Sequence, residues 1–347
     1  MLSPLIPDIK HPKWIIAFKI LEIIGSPRAK KVASKLKIYD IDNFLLGIKI
    51  LVLSDLFERE ISNLVSEINH NYALKKQFRV RSEIKAKDIY ELQSKLDYES
   101  LYVFLRRLFQ NKKRRKSKKQ ETIIIDTSSV VIDLNIWRNK HKIGKRNKKY
   151  KYSYCPSIGY YVGYKLILAI NQNYEILGFE IHDNSPNDSK MLLSFVEKLD
   201  RSGKIKQGDI ILCDKGFTSK KNYQLLINRF YLIPIIYPKK NTNLDGIFSS
   251  FNPPLDAFSA RKYKLRLWMK IVSDFKKLIV NWENFRQIRS KIEDFFNIAK
   301  NSLGMKRNHQ YTKVSVQKKV SRIVFLTQKL IHLFDELNIE IKAIPFW

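Results

Sequence analysis

Two short runs in this 347-residue chain leave few choices of fold. Residues 122–125 (TIII) and 210–213 (IILC) are apolar or β-branched throughout, and each stops at an aspartate, Asp126 or Asp214. A run of that length without polar alternation reads as a strand buried on both faces, as in the inner strands of a helix-covered sheet. A carboxylate at the end of such a strand is poorly solvated unless a cation neutralises it. Two such strands side by side bring two carboxylates to one sheet edge, where magnesium or manganese takes oxygen ligands of this kind. Taken singly, either aspartate serves equally well as a turn or helix-cap residue. Their matching contexts weigh against that reading.

The surrounding pattern supplies the rest of a domain. YYVGYKLILAI and YEILGFEIH are strand-like and flank the turn signal NQN. Asn187, Asp188 and Ser189 offer helix caps ahead of KMLLSFVEKL. DIILCD follows, then a helix from about Ser219 to Asn228 and the strand YLIPIIY. An irregular stretch containing Pro253 and Pro254 runs to about Ser259, and two helices, roughly 281–303 and 314–337, close the chain. The order from Glu121 is β, β, β, α, β, α, β, irregular, α, α. It predicts an α/β fold, a ribonuclease-H-like mixed β-sheet with flanking helices. Fold order by itself establishes no activity.

Residues 13–110 read instead as an all-α N-terminal domain. FLLGIKILVLSDLFEREISNLVSEI repeats apolar residues at three- and four-residue steps, with Ser54 and Asp55 placed to cap a helix within it. DIYELQSKLDYESLYVFLRRLF repeats the pattern. The expected organisation is a helical, DNA-binding domain over 1–110, a basic linker over 111–120, the sheet-bearing catalytic domain over 121–337 and a tail over 338–347.

Charge names the class of partner. Against 33 Asp+Glu stand 65 Lys+Arg, a net charge of +32. Self-repulsion on that scale opposes compaction unless a polyanion relieves it. The excess is also local. NKKRRKSKKQ (111–120) has no apolar periodicity, and a second basic segment runs from Arg138 to Lys151, ending among Tyr150, Tyr152 and Tyr154. Both are solvated charge runs that suit DNA phosphates. Cys155 and Cys213 lie far apart and form no zinc spacing, as expected in a reducing interior. The opening residues do not read as a signal peptide and no run is long enough to span a membrane, so a cytoplasmic, nucleoid-associated protein is expected.

The third acid lies in NWENFRQIRSKIEDFFNIAKNSL. Ile288, Ile292, Phe295, Phe296, Ala299 and Leu303 fall on one helical stripe, and Arg286, Arg289, Glu293, Asn297 and Lys300 on another. Arg289 and Glu293 also satisfy an ordinary i,i+4 ion pair. That pair does not account for such a face accompanying two strand-end acids. Asp294 is turned about 100° away, and Glu283 is a further acid nearby. His182 and Asp183 read as a strand-end turn that might instead support the site. Trp268 and Trp282 suit core packing as well as stacking on distorted DNA.

Arg289-x3-Glu293-x6-Lys300 resembles the R-x3-E-x6-K part of the Y-x2-R-x3-E-x6-K signature of insertion-sequence DDE transposases of the IS-four/IS-five superfamily. TIIIDTS and CDKGFTSKKNYQLL are similar to that family's first- and second-aspartate segments, and GYKLILAI with EIHDNSPNDSKML to the stretch between them. The spacings, 214 − 126 = 88 and 293 − 214 = 79, match a compact version without a large insertion before the glutamate. Residues 121–337 carry the resemblance, and residues 45–110 resemble the family's helical N-terminal domain more weakly. The signature tyrosine is replaced by Arg286.

The resemblance implies a DNA transposase that cuts transposon ends and transfers the strands to target DNA. Asp126, Asp214 and Glu293 would be catalytic and would hold two divalent ions, magnesium or manganese. Arg286, Arg289, Lys300 and Lys215 would bind DNA phosphates. The partners implied are double-stranded DNA, both ends and target, and a second copy of the chain in a synaptic homodimer, with no membrane. A ribonuclease-H-like nuclease without joining activity, or an inactive transposase-derived DNA-binding protein, shares many of these features. If the basic segments touch phosphates, DNA affinity measured over a salt series falls steeply with ionic strength. A flat profile would exclude them as phosphate contacts.

Overall fold

A computed structural model describes residues 12–78, 80, 82–110, 120–132, 152–155, 158–183, 185–253, 263–306, 308–310 and 312–346. Nearly all of the basic linker and of the second basic segment lies outside them. The chain forms two compact units, one of Met1–Lys113 with Phe295–Trp347 and the other of Arg114–Asp294.

The second unit holds a six-stranded sheet. Its strands are β1 (Thr122–Val131), β2 (Tyr152–Cys155), β3 (Gly159–Asn171), β4 (Ile176–Asp183), β5 (Ile210–Cys213) and β6 (Ile233–Ile236). Strand β3 pairs antiparallel with β1 and, on its other side, with β2 and β4. On the far side of β1, β5 and then β6 run parallel to it. This is the ribonuclease-H-like mixed sheet expected from the element order. The NQN turn joins β3 to β4, with Tyr174 in the left-handed region at φ 60°.

The apolar runs behave as the sequence requires. Ile123, Ile124 and Ile125 of β1, and Ile211, Leu212 and Cys213 of β5, have no exposed surface. The register between these strands is locked at their entry. Buried Asp209 accepts hydrogen bonds from the Glu121 and Lys206 amides at 3.0 and 2.8 Å. Ile125 pairs with Cys213, the last residue of β5, but β1 runs on to Val131 with Asp126 paired to Leu168 of β3. Asp126 therefore lies inside its strand, not at its end as the apolar run suggested, beside the point where Asp214 leaves β5.

The flanking helices of this unit, numbered after the seven of the N-terminal region, are α8 (Asp188–Arg201), α9 (Lys220–Asn228), α10 (Leu244–Phe248) and α11 (Tyr263–Val280). Helix α11, which packs on β6, was not anticipated from the sequence. Trp268, Ile271, Phe275 and Ile279 are its buried stripe, at helical spacing among lysines. Trp268 takes the packing role, its indole N–H donating to Asn228 Oδ1 at 3.0 Å. The helix expected over 281–303 opens as a 3-10 turn (Trp282–Phe285) and becomes α12 at Arg286–Asn301. The boundary between the units falls within α12.

In the other unit the N-terminal residues form α1 (Pro12–Ile24), α2 (Pro27–Lys35), α3 (Ile41–Phe57), α4 (Ile61–His70), α5 (Tyr72–Phe78), α6 (Ala86–Lys95) and α7 (Tyr98–Phe109). Asp40 caps α3 by accepting from the Asn43 amide, and Glu58 ends it in a left-handed conformation. Ser54 and Asp55 therefore lie inside α3 and do not cap a helix. Asp55 is buried because it meets Arg322 of α13 (Lys313–Glu336), which packs with α7 and α3. Arg322 Nε lies 2.7 Å from Asp55 Oδ2 and Nη2 3.3 Å from Oδ1, with side-chain exposures of 3% and 4%. Lys318, a turn earlier, donates to the Gln93 and Ser94 carbonyls at the end of α6, at 2.8 and 3.1 Å. Among the described residues no helix is long and apolar enough to cross a membrane.

Removing one partner of a buried ion pair leaves an uncompensated charge. Arg322→Met should lower unfolding stability by about 3–5 kcal/mol in urea titrations. Asp55→Asn with Arg322→Met together should recover much of that loss.

Candidate active site

The site grows from the β1–β5 pair. Asp126 lies midway along β1, Asp214 directly follows β5, and Glu293 comes from α12. The start of α12 is tied to the β3–β4 turn, where Lys291 Nζ donates to the Gln172 carbonyl at 2.7 Å and lies over the Tyr174 ring. One turn before Glu293, Arg289 points inward and gathers the acids. Its Nη2 is 3.3 Å from Asp126 Oδ2 and 3.8 Å from Asp214 Oδ1, while Nη1 pairs with Glu293 Oε1. The three acids named from the sequence thus converge on one guanidinium.

They are unequal in environment. The Asp126 side chain is 16% exposed, Asp214 34% and Glu293 54%. Burial pushes the Asp126 carboxyl up to about 7, against the opposing pull of Arg289 and of the Thr127 amide, with Asp214 and Asp188 adding to the rise. The Thr127 N–H donates to Asp126 Oδ1 at 2.7 Å. Burial works against the charge of Arg289, and the three acids outweigh it, raising its pKa. Burial likewise keeps Cys213 a thiol, the small apolar residue expected.

A cleft of about 940 Å³ opens over this cluster. Asp214, Arg289 and Glu293 line it together with the cations Lys215, Lys239, Lys240 and Arg286. Tyr237 forms part of its wall because its amide continues the ladder beyond β6, donating to the Cys213 carbonyl at 3.1 Å. The phenol packs 4.6 Å from the Trp282 ring, and Arg289 lies over it at 5.6 Å. Among the described residues, buried Tyr237 Oη and Arg289 Nε have no hydrogen-bond partner. Arg286, at the signature's tyrosine position, covers Trp282 at 5.1 Å and reaches Glu283 at 3.1 Å.

The structure therefore collects Asp126, Asp214, Glu293, Arg289, Arg286 and Lys215 in one place. Lys300 follows on α12 but belongs to the other compact unit. His182 pairs with Glu180 on its own strand, at 3.2 Å. Asp188 does not cap α8; Asn187 does, accepting from the Ser189 amide. Tyr237, Lys239 and Lys240, which β6 delivers to the cleft from another part of the chain, were missed by the sequence reading. A run of apolar residues followed by Tyr-Pro-Lys-Lys after a buried strand was the available signal.

Among the described residues no three acidic, histidine or cysteine side chains stand ready to hold a metal ion. The carboxylates are arranged around Arg289 instead. Their chemistry nonetheless fits a hard divalent cation: all the donors are oxygens, and they already surround a positive charge.

A family model for the transposase DDE domain matches residues 117–327 of this chain. No curated protein matches it.

A carboxyl raised from 3.8 to about 7 keeps its proton in the folded chain after the unfolded chain has lost it. Its contribution should therefore reduce stability as pH rises from about 4 to about 7, and change little above that. Carbon-detected NMR of metal-free protein should show Asp126 titrating near 7, and higher in Arg289→Ala. Titration at an ordinary aspartate pH in both would contradict the burial account.

Proposed function

We infer the function of this chain from a plain premise: it belongs to the transposase DDE domain family. We propose that it cuts DNA at transposon ends and joins the freed strands to target DNA. One observation carries this reading. Two carboxylates from neighbouring strands and a helix carboxylate converge on a single cation, Arg289, which lines a cleft whose rim is basic.

Asp126, Asp214 and Glu293 are the residues that would hold the divalent ions, two of magnesium or manganese. When bound, such ions activate an attacking oxygen and stabilise a departing one during in-line displacement at phosphorus. The protein's own groups do the rest. Lys215, Lys239, Lys240 and Arg286 draw the DNA backbone over the cleft, and Arg289 offers a guanidinium suited to bidentate contact with a phosphate. To do so, Arg289 gives up its place among the carboxylates. Lys300 extends the same helix and is assigned to phosphate contact by the signature it completes.

Hydrolysis at the element end leaves a 3′-hydroxyl. Attack by that hydroxyl on a target phosphodiester exchanges one P–O bond for another, so no covalent protein–DNA link is needed. The helical residues 1–110 and the basic segments at 111–120 and 138–151 are assigned to DNA binding, on the strength of the net charge of +32. Two copies are proposed to hold the two element ends, in the cytoplasm at the nucleoid.

Asp126→Asn, Asp214→Asn and Glu293→Gln should each reduce manganese-dependent strand cutting on the order of a thousandfold or more. DNA binding in mobility-shift titrations should remain largely intact. Wild-type cutting in any of the three would remove that residue from the site. Incubation with paired element ends should yield 3′-end joining; hydrolysis without joining would move the assignment to a nuclease.

A further inference from the structure

The Asp188 carboxylate lies beside the proposed cation site and has no role in it so far. It stands in the first turn of α8, next to the actual cap, Asn187. Its Oδ1 accepts the Thr127 hydroxyl at 3.0 Å and pairs with Lys165 Nζ at 2.7 Å. Lys165 also donates to the Pro186 carbonyl at 3.0 Å, which fixes it against the same turn. Thr127 thus faces two carboxylates, its amide donating to Asp126 and its hydroxyl to Asp188.

Asp188 also touches the second strand end. A Cβ on Gly216 would sit 2.8 Å from Asp188 Oδ2, so a larger residue there would displace the Asp188 carboxylate from the turn after Asp214. Asn222, 1% exposed, clamps the same two segments together. Its Nδ2 donates to the Ser189 carbonyl at 3.0 Å and to the Phe217 carbonyl at 2.8 Å. One acid therefore contacts the residue after Asp126 and the residues after Asp214, and a buried amide keeps it there.

We propose that Asp188 is a positioning residue: through Thr127 and the Lys215-Gly216 turn it holds the Asp126 and Asp214 carboxylates in one arrangement, with Lys165 as its counter-ion. The proposal rests on the reading of Asp126 and Asp214 as cation ligands. An acid in the first turn of a helix also favours that helix electrostatically. That effect would alter stability without passing through Thr127.

The test measures manganese affinity of the full-length, metal-free protein by calorimetry, with thermal melting to confirm folding. Thr127→Val removes the hydroxyl link without changing charge. It should weaken manganese binding about tenfold, as loss of an outer hydrogen bond to a ligand does, while DNA affinity without metal stays unchanged. Thr127→Ser should restore binding. Thr127→Ala provides a second route to the same loss if valine crowds the site. The double variant Thr127→Val with Asp188→Ala should bind no more weakly than Asp188→Ala alone, since both changes cut one link. Manganese binding by folded Thr127→Val or Thr127→Ala within about twofold of wild type, or independent addition of the two effects, would overturn the proposal. Asp126→Asn serves as the reference. If it loses manganese and the Thr127 variants keep it, only the positioning role of Asp188 fails. If it binds like wild type, the cation site itself fails and the proposal with it.

Discussion

Two carboxylates on neighbouring buried strands repel each other, and burial makes each costlier to ionise. This fold places Asp126 and Asp214 in that relation as soon as Asp209 fixes the register of β1 against β5. The Arg289 guanidinium is what makes the arrangement tolerable, since it lies within ion-pair distance of both and of Glu293. Opposite unit charges about 4 Å apart near a protein surface attract by about 4 kcal/mol. That is the scale of the interaction the sheet edge depends on. Burial still wins at Asp126, whose carboxyl remains raised to about 7.

The dependence extends outward from Arg289. The residue is held by α12, and α12 is fixed by Lys291 on the β3–β4 turn. The acids are held by their strands and, at Asp126, by the Thr127 amide. Helix and sheet thus meet through charge at the site. A guanidinium in this position is also a provisional occupant. It contributes three contacts to carboxylates that a divalent ion would contact more strongly, and among the described residues its Nε has no hydrogen-bond partner.

The sheet was legible because its signals are local. Unbroken apolar runs, an NQN turn and cap residues specify strands and a hairpin without reference to distant residues. Asp126 and Asp214 were legible for the same reason, and Glu293 through its helical spacing to Arg289. Other features depend on contacts that sequence order does not reveal. Asp55 looks like a helix cap until Arg322, 267 residues away, is known to neutralise it inside α3. Asp188 resembles a cap until Thr127 and Lys165 are seen to claim its oxygen. Tyr237 enters the cleft only because β6 lies next to β5. Helix α11 is a different case: its apolar stripe is present in the sequence but diluted by lysines and by the irregular stretch before it.

The distribution of charge over the cleft bears on how it works. Its rim carries Lys215, Lys239, Lys240 and Arg286, while its floor sets Arg289 against three acids. One guanidinium is thus shared among three acids beneath a basic rim. Positive charge added at the floor relieves the carboxylates and admits the phosphate in one act. Arg289 alone cannot do both, since one guanidinium already shared by three acids has little left to offer a phosphate. On the proposed function, a divalent cation held by the three acids would do both and would leave Arg289 available to the DNA.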